Sequence, residues 1–172
     1  MIRAFWKRLR IAAAALFLCL PATVAPAQDE EIEIVRVAEV GIWQIIAIIE
    51  KDGPLQQCMA TVLYENGQRI SFNAQPDGAW AFQVFDPNWP PRFSDSMMSV
   101  QVSVGDQRLE EVKAEYVGKS LFLRLHNAEL YLMQQDGVLQ IQTPTDPVSF
   151  ILVEPKPAIG ATAICRDAQK NG

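Results

Sequence analysis

Side-chain chemistry needs suitable groups within reach of one another, and this chain offers few. His126 is the only histidine, so any Ser-His-Asp or Cys-His system would have to be built on it. It follows an apolar run at residues 121–125, where a lone histidine reads as structural or surface. A metal centre of ordinary composition wants several histidine, cysteine or carboxylate ligands converging. One imidazole, with two cysteines that have each other as partners, does not supply them. The glycines fall singly at turns, so no phosphate-cradling loop is present. What remains is carboxylate acid–base work. Glu110, Glu111 and Glu115 are close enough along the chain for it and define an enzymatic alternative, an envelope hydrolase. The plainer reading of acidic residues on a hairpin is a solvated face. The sequence assigns no catalytic, cofactor-binding or metal-binding residue, and no cofactor is expected.

The cysteines depend on where the chain is sent. Residues 1–27 have the make-up of a cleaved export leader. Arg3, Lys7, Arg8 and Arg10 form a basic start, residues 11–20 an apolar run, and Ala25-Pro26-Ala27 a small-residue cleavage site. The apolar run is far shorter than the roughly 20 residues a spanning helix needs. Leu18 precedes Cys19, where a lipoprotein would need a small residue. Cleavage near Ala27 gives a periplasmic or secreted chain with no transmembrane segment. Taking 27 from 172 residues leaves 145, the size of one domain. The leader removes four of the 15 basic residues and none of the 20 acidic ones, so 11 face 20 and the net charge becomes −9. Such a domain is a poor partner for nucleic acid or an anionic membrane. Cys19 leaves with the leader, and Cys58 and Cys165 remain. In an oxidising compartment their simplest fate is one disulfide, contributing about 4–5 kcal/mol in the chain-entropy model. A catalytic thiol, the alternative, would again need a base.

The element that carries Cys58 can be placed in register. Residues 57–85 read as a three-stranded antiparallel meander. A three-residue loop at Glu65-Asn66-Gly67, a type I turn closed by left-handed glycine, pairs Val62 with Ile70 and Ala60 with Phe72. The turn at Gln75-Pro76-Asp77-Gly78 pairs Ala74 with Trp80, Phe72 with Phe82 and Ile70 with Val84. Both connections put Cys58, Ala60, Val62, Tyr64, Ile70, Phe72, Ala74, Trp80, Phe82 and Val84 on one apolar face. The facing set, with Arg69, Ser71, Asn73 and Gln83, is expected to meet water. A one-residue slip would expose the whole apolar set.

Around the meander, residues 28–40 form an acidic lead-in, in which Ile32 and Ile34 alternate and could extend an edge strand. Residues 41–172 form a single β-rich domain. Residues 41–49, rich in β-branched side chains, predict a buried strand. Residues 86–96 carry three prolines that exclude regular structure, with Trp89 and Phe93 as apolar residues in a loop. Those aromatics either fold back onto a sheet edge or, with Arg92, form an exposed partner-binding rim. Alternation predicts further strands near residues 98–104, 112–117, 121–125, 138–143 and 148–153. Residues 127–136 are ambiguous, and Asn127 and Gly137 favour a short helix between them. Ala161, Ile164, Cys165 and Ala168 recur at one face of a terminal helix, which would bring Cys165 inward toward Cys58.

Several short segments carry a resemblance: Gly41-Ile42-Trp43-Gln44, Gln57-Cys58-Met59-Ala60, the Asn66-Gly67 turn, Gly78-Ala79-Trp80, Phe150-Ile151-Leu152, and the Ala-rich end from Gly160 to Cys165. In these the chain resembles small exported β-rich proteins of alphaproteobacteria. Its first half also resembles the invasion-associated locus B family, though without that family's cysteine shortly after the early tryptophan. The resemblance implies an exported β-rich protein with an envelope- or host-interaction role, and it brings no catalytic residue with it.

These readings converge on a mainly β fold, an antiparallel sandwich or partly open barrel with a short C-terminal α-helix stapled by Cys58–Cys165. The expected function is a non-enzymatic binding module for a protein or envelope component, contacting it through Trp89, Arg92 and Phe93. A purely structural envelope component is a further alternative.

Overall fold

The computed structural model describes residues 32–93, 97–145 and 147–169. The leader, Cys19 and the first four residues of the acidic lead-in lie outside them. The fold is mainly antiparallel β with a C-terminal helix. Among the described residues, eleven strands form one sheet: β1 (Ile32–Val40), β2 (Trp43–Glu50), β3 (Leu55–Leu63), β4 (Arg69–Ala74), β5 (Trp80–Phe85), β6 (Arg92–Phe93), β7 (Met98–Val104), β8 (Gln107–Gly118), β9 (Ser120–Leu125), β10 (Gly137–Gln142) and β11 (Val148–Leu152). Two helices complete it, α1 (Asn127–Leu132) and α2 (Pro155–Gln169). The order across the sheet is β1-β2-β3-β4-β5-β9-β8-β7-β10-β11, with β6 added to β8.

The meander has the expected register. Val62 pairs with Ile70, Ala60 with Phe72, Phe72 with Phe82 and Ala74 with Trp80. The Tyr64 N–H donates to the Gln68 carbonyl at 2.8 Å, closing the three-residue loop. Gly67 and Gly78 take φ of 82° and 97°, the left-handed region both turns require. The face bearing Cys58, Ala60, Ile70, Phe72, Ala74, Phe82 and Val84 is fully buried. Phe72 lies at its centre, its ring 5.2 Å from Trp43 and 5.0 Å from Phe82.

The sheet is open, with β1 and β11 as its ends, but it folds over so that both halves share one core. Side-chain hydrogen bonds also join the halves. Trp43 Nε1 donates to the Val153 carbonyl at 2.7 Å and Tyr64 Oη to the Ile151 carbonyl at 3.3 Å. Tyr64 also stacks against Phe150, at 5.6 Å between ring centroids. Helix α2 packs on β1 to β4, and the Cys58–Cys165 disulfide ties it to β3 across 107 residues of chain.

Five local expectations change. Arg92 and Phe93, in the segment whose three prolines were expected to exclude regular structure, form the short strand β6 on β8. Residues from Ile32 onward are an edge strand, the alternative that Ile32 and Ile34 allowed, although nearly all of its side chains are exposed. Helix α1 begins one residue earlier than the Asn127 cap implied, with His126 as N-cap and Glu129 Oε2 accepting the His126 N–H at 3.0 Å. Helix α2 starts at Pro155, whose missing N–H costs nothing in a first turn. Its buried face is Ala158, Ile159, Thr162 and Cys165, and Ile164 is 72% exposed. At about 100° per residue those four share one side of the helix, with Cys165 in the disulfide, and Ile164 falls on the opposite side. Finally, Ser71 and Asn73 are buried rather than wet: both are short side chains on a central strand, Ser71 between Thr61 and Gln83 and Asn73 between Met59 and Ala81.

Candidate interaction surface

Directly opposed residues in an antiparallel pair point to the same side of the sheet, so the registers trace what the outer face displays. One cross-strand row runs Leu63, Arg69, Phe85, Ser120, Val117, Phe93, through β3, β4, β5, β9, β8 and β6. At the usual spacing it spans about 24 Å. Its ends are apolar and open to water: Leu63 is 72% and Phe93 76% exposed, and Val117 is exposed beside Phe93. Between them Arg69 lies over the Phe85 ring, 5.3 Å from its centroid. The adjacent row is polar through Thr61, Ser71 and Gln83 before it reaches Phe122. Thr61 Oγ1 donates to the Ile70 carbonyl at 3.2 Å, and Gln83 Nε2 donates to Ser120 Oγ at 2.9 Å.

The segment leading to Phe93 is firmly anchored. Buried Asp86 accepts the Asn88 N–H at 2.8 Å and Gln68 Nε2 at 2.7 Å. Lys119 Nζ donates to the Pro87 carbonyl at 2.6 Å. The three residues proposed from sequence as a rim then divide. Trp89 is half-buried and turned back, edge-on to Tyr116 at 5.9 Å between centroids. Arg92 is half-buried, with its guanidinium 5.3 Å from the centroid of the same Tyr116 ring and Nη1 donating to Thr145 Oγ1 at 2.7 Å. Phe93 alone of the three is openly presented, held by the pairing of Arg92 with Gly118 and of itself with Val117.

The carboxylates of the enzymatic alternative separate as well. Val100 pairs with Val112 and Val102 with Leu109, which leaves Glu110 and Glu111 together at a bulge, with Glu111 at φ 60°. Glu110 accepts Gln101 Nε2 at 2.6 Å and pairs with Arg108 Nε at 2.5 Å. The Gln101 hydrogen bond first, then Arg108, holds its carboxyl below the usual glutamate value, the opposite of what a general acid needs. Glu115 points elsewhere, opposite Phe122, at the border of an open cleft of about 600 Å³ between the β4–β5 turn, the end of β9 and α1. His126 and Arg124 line that cleft too, but no serine, threonine or cysteine does, so a histidine-activated nucleophile has no partner there. Among the described residues, no three histidine, cysteine or carboxylate side chains cluster to hold a metal.

Sequence reasoning placed Arg69 on the water-facing side but missed Leu63 as a surface feature. The signal was present in the register, since an odd-numbered leucine and Phe85 fall on the face assigned to water. Among the described residues no helix is long and apolar enough to cross a membrane. Comparison with known proteins leaves the surface to speak for itself: no family model, curated protein or solved structure matches the chain.

Proposed function

We propose that this chain is an exported, non-enzymatic binding module, periplasmic or secreted, that engages a protein or envelope component through Phe93 and its neighbour Val117. The observation that carries the reading is Phe93 itself. An aromatic ring 76% exposed has left the core, while its neighbours Trp89 and Arg92 are locked against Tyr116. Phe93 is carried on a paired strand, so its backbone loses little conformational entropy on binding, and exposed aromatics of this kind are favoured as interface anchors. The buried disulfide supports an oxidising compartment, and the resemblance to exported envelope and host-interaction proteins points the same way.

The test is co-purification from periplasmic and secreted extracts with wild type, Phe93→Ala and Trp89→Ala. Phe93→Ala is expected to lose a partner that wild type retains, at an unchanged melting temperature. Trp89→Ala is expected to lose the partner and some stability together. An identical partner set for wild type and Phe93→Ala refutes the assignment.

A further inference from the structure

The other end of the outer face holds a second feature, more than four strands away from Phe93. A groove of about 450 Å³ lies over β1 to β4, walled by Ile34, Ile42, Ile46 and Leu63, with Arg36 and Arg69 at its sides. Ligand sites fall between about 300 and 1,000 Å³ and are mostly apolar with few polar groups. Ile34, Ile42 and Leu63 are more than half exposed, an apolar cluster of the kind that marks interaction sites on soluble domains.

The two arginines differ. Arg36 is paired with Glu39, the nearby acid on its own strand. Arg69 is half-buried and fixed over Phe85, and its buried Nε has no hydrogen-bond partner. A buried guanidinium N–H without an acceptor costs free energy until one arrives. The planar guanidinium fork suits carboxylate and phosphate alike.

We propose that this groove binds a single-chain anionic amphiphile, its carboxylate or phosphate head at Arg69 and its alkyl chain along Ile34, Ile42, Ile46 and Leu63. The charge of the chain argues for a single molecule over an anionic bilayer, because a net charge of −5 over the full sequence is repelled by such a surface. The site is independent of the partner-binding reading, which rests on Phe93.

Calorimetric titration of the protein with dodecanoate, dodecyl phosphate and dodecanol, each below its micelle concentration, tests the site. Saturable one-to-one binding of an anionic probe is expected, with dodecanol at least about tenfold weaker for want of a charged hydrogen bond. Whichever anionic head binds more tightly identifies the source as a fatty acid or a phosphorylated lipid. Arg69→Gln should weaken binding by about tenfold or more, Arg69→Lys should fall between, and Leu63→Ser should weaken both anionic probes. Phe93→Ala should leave binding unchanged. Leu63 is exposed, so its variant keeps the test sound even if the Arg69 variants fold poorly. Methyl resonances of Ile34, Ile42, Ile46 and Leu63 should shift on saturation. The proposal is overturned by absent saturable binding, by dodecanol binding as tightly, by Arg69→Gln and Leu63→Ser together having no effect, or by flotation with phosphatidylglycerol vesicles in place of one-to-one binding.

Discussion

The two faces of β3, β4 and β5 are made from alternate residues of the same three strands, yet they follow different rules. On the inner face each position is decided by burial: Cys58, Ala60, Phe72, Phe82 and Val84 are fully enclosed, and a one-residue slip would expose them. On the outer face the neighbours decide. Ser71 and Asn73 are buried because they are short and central, while Leu63 is open because it ends its strand. Alternation therefore identifies a scaffold reliably, and the residues that break it identify the surfaces worth testing.

The contrast can be challenged by experiment, beginning with the largest effect. Cys58→Ser, Cys165→Ser and the double variant should each lose about 4–5 kcal/mol on the chain-entropy model, with the double no worse than either single. Urea unfolding would measure this. Phe72→Ala should cost about 3–5 kcal/mol, since it removes the ring that joins Trp43 to Phe82. The outer face should respond with the opposite sign. Asn73 Nδ2 is buried without a partner, so Asn73→Leu, near in shape, should be neutral or stabilise by up to about 1 kcal/mol. A loss of several kcal/mol there would place Asn73 with the inner-face residues and end the distinction. Leu63→Ser should change stability by no more than about 0.5 kcal/mol.

The smallest effects concern titration. Gln101→Ala should move the Glu110 midpoint up toward the ordinary glutamate value, followed by NMR. Because its folded value is depressed, any stability it contributes is present above the unfolded value and is lost as pH falls through the folded one. Tyr64 runs the other way. Burial raises its hydroxyl, so its contribution is complete below the ordinary tyrosine value and is lost as pH rises through the folded one. In Tyr64→Phe, alkaline unfolding should lose that component.

Much of the scaffold was legible because short-range chemistry set it. Asn66-Gly67 and Pro76-Asp77-Gly78 fixed two turns, those turns fixed the pairings, and the pairings oriented Cys58. Cys165 was paired by elimination. What was not legible depended on distant parts of the chain. The buried stripe of α2 follows from where Pro155 starts the helix and where the disulfide turns it, neither of which periodicity encodes. Trp89 and Phe93 look alike in sequence, and the difference arises because Tyr116 on β8 receives one and Val117 aligns with the other. The groove is assembled from β1 to β4, and the pairings of β1 with β2 and of β2 with β3 have no turn signature that sets their register in the sequence.

The Trp43–Val153 hydrogen bond has a consequence for how the protein is made. Its partners are 110 residues apart, and the cysteine pair is separated by nearly as much. Both closures wait for the final stretch of the chain, so an emerging polypeptide can form hairpins but cannot complete its core. Contacts of such long range slow folding. For a protein we propose is exported, this delay is useful: the chain stays threadable until its last residues have crossed, and folding becomes an event of the destination.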